Sequence, residues 1–171
     1  MSLDDPVTVR TADTSDLPRI AAIYDEQVRT AISTFDLEPL GLDYWEARLA
    51  STAPGDHLLV ALADSGVVGY AYSSSYRPRP AYARTREVSV YLAGEAREHG
   101  LGRALYEELL RRLRTDGIHQ VLAVIAHRTT PARRCTERAG SHGSGCCPRW
   151  AGSSTAGLTP PYGASRCRRS R

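Results

Sequence analysis

The stretch Val88-Ser-Val-Tyr-Leu92, followed by Arg97-Glu-His-Gly-Leu-Gly-Arg-Ala-Leu105, decides the fold. Its first part is a short apolar run typical of a strand, and its second part leads through Gly-x-Gly into a helix. The first amides of a helix lack internal partners and lie at the positive end of the helix dipole. Glycine lets phosphate oxygens approach those amides because it has no Cβ. The stretch therefore predicts an anion site, to which Arg97 and Arg103 would add hydrogen bonds.

Gly-x-Gly alone has other interpretations. It is equally typical of a helix that is entered through a flexible turn. A dinucleotide-binding motif fits poorly, because its third glycine would fall at Leu105 and because the motif follows a hairpin.

Outward from this stretch, apolar periodicity predicts alternating strands and helices around one core. Ser15 is the expected N-cap of the first helix. The order of elements predicts a mixed α/β sheet with helices on its faces. The predicted strands are Val7–Arg10, His57–Leu62, Val67–Ser73, Glu87–Leu92 and Val121–Ala126, and the predicted helices are Leu17–Ile32, Leu42–Ala50 and Leu101–Thr115.

The pattern Arg-x-x-Gly-x-Gly after an apolar strand, before an amphipathic helix and another apolar strand, resembles the acetyl-CoA signature of the GNAT acetyltransferases. The resemblance covers residues 7–126 and implies a mostly antiparallel sheet flanked by helices. Shorter matches resemble the phosphinothricin acetyltransferases of that family: Ser33-Thr34-Phe35, Glu38-Pro39, Trp45, Tyr76-Arg77, Ala81-Tyr82, Thr85-x-Glu87 and Gly117-Ile118-His119.

The resemblance implies acetyl transfer from acetyl-CoA to the primary amine of a small amino-acid-like substrate. It also implies a homodimer. The amides of Val90, Tyr91 and Leu92 would face the pantetheine and the thioester. The implied pyrophosphate contacts are Arg97, Glu98, His99, Gly100, Leu101, Gly102 and Arg103.

Glu87 stands where the family places its general base, and a carboxylate suits that role because the acceptor ammonium must lose a proton. The alternative is a solvated acid at a strand edge. The candidate substrate contacts are Phe35, Arg79, Tyr82 and Thr85. Arg79 would pair with an acidic substrate or is simply a solvated loop arginine, and Tyr82 would also serve to pack its loop.

Charge and composition narrow the function classes. Residues 1–126 hold 13 Arg and 18 Asp or Glu, whereas residues 127–171 hold 9 Arg and the single acid Glu137. The body therefore offers no basic patch for nucleic acid. All four cysteines lie after residue 126 without a CxxC pair, so no metal site is expected. With no apolar run long enough for a membrane span and no secretory signal, we expect a cytoplasmic protein.

The family pattern stops after residue 126, which divides the chain into an acetyltransferase domain, residues 1–126, and an aberrant basic tail, residues 127–171. The tail holds one residue among Leu, Ile, Val, Met and Phe, namely Leu158. So few aliphatic residues predict a disordered or poorly folded tail without the paired strands that complete the fold. The edge of the last strand would then stay exposed.

A shifted reading frame would explain the composition of the tail. When each codon is re-read from its last base and the first two bases of the next codon, PRWAGSSTAGLTPPYGA (Pro148 to Ala164) permits PEVGRKFDRWVDTALWR. That peptide resembles the missing family C-terminus. The lost part implies weak or absent acetyl-CoA binding by the chain as written. The sequence thus leaves three functions open, namely a phosphinothricin-type acetyltransferase, a GNAT enzyme for another amine, and an inactive remnant.

Overall fold

The computed structural model describes residues 8–31, 34, 36–96, 100–126, 142–146 and 153–158. These residues form three α-helices and seven strands. The strands are β1 (Thr8–Thr11), β2 (Leu58–Ala63), β3 (Gly66–Ser75), β4 (Thr85–Leu92), β5 (Gln120–Ala126), β6 (His142–Cys146) and β7 (Ser153–Leu158). The helices are α1 (Leu17–Thr30), α2 (Leu42–Leu49) and α3 (Leu101–Thr115).

The strands make one sheet in the order β1-β2-β3-β4-β5-β7-β6. Neighbouring strands are antiparallel except β4 and β5, which run parallel and are connected by α3. The mixed, mostly antiparallel sheet with flanking helices is therefore confirmed. The parallel pair matters for the site, because the carboxyl ends of β4 and β5 point to the same edge of the sheet.

The helices cover opposite faces of the sheet. Tyr24 of α1 packs edge-on against Trp45 of α2 and Tyr91 of β4, with ring centres 5.4 and 5.3 Å apart. On the other face, α3 buries leucines that recur every four residues, because that spacing keeps them on one side of a helix. These leucines, each at most 1% exposed, are Leu101, Leu105, Leu109 and Leu113.

The entry to α1 differs from the sequence-based expectation. Asp13, rather than Ser15, caps the short 3₁₀ turn Thr14–Asp16, because its carboxylate accepts a hydrogen bond from the Ser15 amide at 2.8 Å. The Asp13 amide in turn donates to the Asp16 carboxylate at 2.8 Å, which completes a capping box. Helix α1 continues directly from this turn at Leu17.

Two segments of the tail form strands, so the expectation that the tail adds no paired strands is wrong for them. β7 pairs with β5 from Val121↔Leu158 to Ala126↔Ser153, and β6 pairs with β7. The physical reason is that backbone groups form the ladder, so a segment with few aliphatic side chains can still pair with a free strand edge. The expected exposed edge of β5 is covered by β7. The remaining tail residues lie outside the described ranges, and the domain boundary at residue 126 stays a prediction.

Candidate functional site

The candidate site begins where β4 and β5 stop pairing. Their parallel ladder holds three pairs, Thr85↔Gln120, Arg86↔Val121 and Glu87↔Leu122. Beyond Glu87, β4 continues to Leu92 along β3, while β5 continues to Ala126 along β7. Within the described residues, 88–92 of β4 and 123–126 of β5 therefore face each other without pairing. We call this opening the β4–β5 gap.

Alternate amides of β4 face the gap. The Ala93 amide donates to the Val68 carbonyl at 2.9 Å, and hydrogen-bonded pairs alternate with non-bonded pairs in an antiparallel ladder. With the register Tyr70↔Tyr91, the Tyr91 amide points to β3. The amides of Val90 and Leu92 point to the gap. The ligand contact that the resemblance implies for the Tyr91 amide does not fit this ladder, because that amide points to β3 and donates within the ladder.

The start of α3 lies at the same edge of the sheet as the gap, because the chain passes from the end of β4 to α3 through the short turn Gly94–Ala96. Gly100, the N-cap, has φ +75°, and a Cβ placed on it would meet no atom within 4 Å. The first intrahelical bonds come from Arg103 and Ala104 to the Gly100 carbonyl, at 3.0 and 3.1 Å. The amides of Leu101 and Gly102 precede those bonds, so the turn offers donors beside open space.

The cationic side chains expected at this turn are only partly described. Arg103 is exposed, and its Nε donates to Glu107 at 2.7 Å. Arg97, Glu98 and His99 lie outside the described residues.

Glu87 is the last residue of β4 that pairs with β5, so its backbone marks the closed end of the β4–β5 gap. Its side chain is half-buried and lies on the face of the sheet covered by α1 and α2, because side chains alternate along a strand and Tyr91 is on that face. Burial raises the pKa of Glu87 above its ordinary value. A carboxylate held this way is a better proton acceptor than a solvated one.

Hydroxyl groups line the same face beside Glu87. Ser89 is directly opposite Tyr72 in the ladder and lies two residues from Tyr91 on the same face of β4. Burial raises the pKa of each of these tyrosines, and the nearby Ser89 side chain opposes that rise. Tyr72 also feels the charge of Glu87. The carboxylate of Glu87 therefore stands next to a group of neutral hydroxyls.

The wall behind these groups is aromatic. Trp45 is fully buried and packs edge-on against Tyr70 at 5.4 Å. Tyr70 stacks on Tyr91, also at 5.4 Å. The Tyr24 hydroxyl bonds with Thr34 and Asp36 of the loop between α1 and α2. Rigid rings of this kind form a fixed apolar wall for a small ligand.

The candidate substrate residues are placed unequally. Thr85 begins β4 and is half-buried. Tyr82 packs edge-on against Tyr76 at 5.5 Å, while Arg79 is exposed just before the turn Pro80–Tyr82. Phe35 lies outside the described residues.

The sequence interpretation missed Arg48, Tyr72 and Ser89. The alternation of Tyr70 and Tyr72 within an apolar strand is the signal that could have placed Tyr72 on the aromatic face. In the described part of the chain, no three potential metal ligands come together, and no helix combines the length and apolar character needed to cross a membrane.

Comparison with known proteins assigns the family. The profile of the Acetyltransferase (GNAT) family matches residues 20–140. This chain belongs to the GNAT acetyltransferases. The resemblance drawn from the Gly100–Gly102 stretch is thereby confirmed.

Among GNAT relatives, the phosphinothricin N-acetyltransferase of Alcaligenes faecalis is 41% identical over 117 residues, which are 68% of this chain and 59% of that enzyme. The chain thus spans less than two thirds of that enzyme's length. The L-methionine sulfoximine/L-methionine sulfone acetyltransferase of Pseudomonas paraeruginosa is 35% identical over 69% of this chain and 70% of its own.

A solved GNAT structure has the same fold as this chain. The phosphinothricin acetyltransferase of Sinorhizobium meliloti in complex with AcCoA superposes with a TM-score of 0.82 at 32% identity. The match covers 90% of this chain and 88% of that one. Both the fold and the phosphinothricin acetyltransferase-like pattern are therefore shared.

Proposed function

We propose that this chain transfers the acetyl group of acetyl-CoA to the primary amine of a small amino-acid-like substrate. One observation carries the proposal, namely the β4–β5 gap, which has Glu87 at its closed end and the glycine-led start of α3 at the same sheet edge. Relatives named for acetylation of phosphinothricin and of methionine sulfoximine support the chemistry.

The residues present fit acetyl-CoA as the co-substrate, which supplies the thioester. The amides of Val90 and Leu92 face the gap, so they would donate to the pantetheine and the thioester carbonyl. The amides of Leu101 and Gly102 would hold the pyrophosphate, because helix starts bind anions. Gly100 leaves the approach open, and Arg103 would add charge. Arg97, Glu98 and His99 stay proposed contacts.

Glu87 would accept the proton that the acceptor ammonium must lose before it can attack. Its position at the closed end of the gap, on the face of α1 and α2, separates it from the α3 face. The acceptor would therefore enter from the α1–α2 side. Phe35, Arg79, Tyr82 and Thr85 stay proposed substrate contacts, and a homodimer stays an expectation from the family.

An inactive remnant is the second candidate, and the shifted-frame reading of residues 127–171 favours it. β7 covers the edge of β5. Titration with acetyl-CoA separates the two candidates, because an incomplete cleft would bind the co-substrate weakly or not at all.

The test is release of free CoA from acetyl-CoA in the presence of a panel of amines, including phosphinothricin and methionine sulfone. Because weak acetyl-CoA binding is expected of the chain as written, the assay uses a high acetyl-CoA concentration. Under that condition we expect turnover by the unaltered chain and a loss of roughly 100-fold or more in kcat for Glu87→Gln, which is the range of general base catalysis. Glu46→Gln, an exposed acid of α2, is the matched control and should leave kcat unchanged. The absence of CoA release with every amine would contradict the proposal.

A further inference from the structure

Arg48 lies in the last turn of α2. Among the described residues, all of the groups that its side chain contacts are neutral. Its Nη2 donates to the Tyr44 hydroxyl at 2.6 Å, and its Nη1 donates to the Ser73 carbonyl at 3.4 Å. The guanidinium carbon stands 4.3 Å from the centre of the Tyr72 ring. The buried Nε has no hydrogen-bond partner. A cation stacked on a ring in this way is held firmly but keeps its charge uncompensated.

Each of the other buried or half-buried arginines in the described chain forms an ion pair with a carboxylate. In the described chain, the buried or half-buried arginines are Arg10, Arg48, Arg86 and Arg112. Three of them pair with acids: Arg10 with Asp16 at 2.7 Å, Arg86 with Asp56 at 3.5 Å and Arg112 with Glu108 at 2.8 Å. Arg48 is the exception. Because withdrawing an unpaired charge from water is costly, this position favours an external anion.

Arg48 lies on the same face of the sheet as Glu87. It stacks on Tyr72, and the next residue of β3 on that face, Ser74, is directly opposite Glu87. Successive side chains on one face of a strand are about 6.6 Å apart. The guanidinium of Arg48 and the carboxylate of Glu87 therefore both adjoin Tyr72 on this face.

We propose that Arg48 binds an anionic group of the acceptor and so selects amines that carry a negative charge. The inference rests on the proposed acetyl transfer. Nη1 and Nη2 each carry two N–H groups, and each uses one of them in the contacts described. The remaining N–H groups can donate to an oxygen of a carboxylate or a phosphinate. Arg48 then acts in recognition, while Glu87 handles the proton.

The test compares acceptors that differ in one charge. Phosphinothricin carries a carboxylate and a phosphinate, its carboxyl methyl ester lacks the first charge, and methionine sulfone lacks the second. We expect Arg48→Gln to lower kcat/KM at least tenfold for phosphinothricin. For one of the two analogues, Arg48→Gln should lower kcat/KM less than twofold, because that analogue lacks the charge that Arg48 binds. If it is the methyl ester, Arg48 binds the carboxylate, and if it is methionine sulfone, Arg48 binds the phosphinate. Arg48→Lys should retain part of the rate.

Two controls separate recognition from structure. Arg112→Gln removes a paired arginine on α3 and should lower the rates for all three acceptors alike, if at all. The KM for acetyl-CoA should not change in Arg48→Gln. Equal losses for all three acceptors in Arg48→Gln would show a structural role and overturn the inference.

A binding measurement keeps the inference separate from the proposed function. Thermal stabilisation by phosphinothricin needs no turnover, and we expect it in the unaltered chain but not in Arg48→Gln. If phosphinothricin stabilises the unaltered chain but is not acetylated, the acetyl-transfer proposal is contradicted and the role of Arg48 in binding is not. Equal stabilisation of both forms, or stabilisation of neither, would sink the role of Arg48.

Discussion

At the residue scale, Glu87 combines a half-buried side chain with the closed end of the β4–β5 gap. Burial raises its pKa, so the deprotonated form that accepts a proton accumulates only above the ordinary glutamate value of about 4.3. We expect the acid limb of the kcat/KM profile to lie above that value and to vanish in Glu87→Gln. A limb at or below the ordinary value would contradict the assignment.

The same raised pKa predicts a small stability cost at neutral pH. A carboxyl whose pKa is higher in the folded state favours folding most when it is protonated, and this advantage is lost as the pH rises through the folded pKa. Glu87→Gln should therefore raise the melting temperature slightly at pH 7 and leave it unchanged at pH 3. Thermal unfolding at the two pH values measures this, and a lower melting temperature at pH 7 would refute it.

Gly100 supplies a backbone conformation that other residues adopt only under strain. Its φ is +75°, but the space around it is open, so Gly100→Ala tests the conformation alone. We expect a loss of about 1–2 kcal/mol in the free energy of unfolding, together with a higher KM for acetyl-CoA. Gly41→Ala is the matched control, because Gly41 is also an N-cap in open space but has φ −66°. Similar losses for both variants would show that the conformation of Gly100 is unimportant.

The contacts of Arg48 show what a single sequence cannot reveal at this scale. Trp45 and Glu87 stand out from short matches along the chain, but the stacking of Arg48 on Tyr72 joins α2 to β3. Such a contact depends on how a helix docks on a sheet. The same holds for the Val90 and Tyr91 amides, because their direction follows from the pairing of Ala93 with Val68.

At the element scale, the position of β4 depends on Gly69 of β3. A Cβ on Gly69 would lie 2.5 Å from Leu92 Cδ2 and 3.0 Å from the Tyr91 carbonyl oxygen. Gly69→Ala should therefore push β4 aside where it borders the gap, at about 1–3 kcal/mol in the free energy of unfolding, as is typical of overpacking. Denaturant unfolding and the KM for acetyl-CoA measure the two effects.

A second substitution tests the cause of that loss. Leu92→Val shortens the side chain that the new Cβ would meet, so the double variant should recover part of the stability. No recovery would place the loss in the backbone contact with Tyr91.

Elements with strong periodicity were predictable from the sequence. The leucines of α3 predicted the helix Leu101–Thr115, and the structure has the same bounds. The strands β6 and β7 were not predictable, because their sequences, HGSGC and SSTAGL, carry no alternating apolar pattern. β7 pairs with the free edge of β5, and β6 pairs with β7, through backbone groups rather than through an apolar pattern of their own.

At the scale of the whole molecule, we expect residues 127–171 to limit the proposed binding of acetyl-CoA. Replacing the tail by its shifted-frame sequence should strengthen acetyl-CoA binding at least tenfold, because the shifted-frame peptide resembles the family C-terminus that the chain as written lacks. Isothermal titration of both forms measures the difference. Micromolar binding by the unaltered chain, with no gain on replacement, would contradict this expectation.

The sheet order has a consequence for synthesis on the ribosome. Five adjacent strands, β1 to β5, pair with one another using residues up to Ala126, and among the residues with described side chains the buried apolar core ends at Ala123. Because domains emerge and fold from the amino terminus, this core can assemble before the last part of the chain is translated. A slip of the reading frame near residue 127 would then leave the sequence that builds this core unchanged.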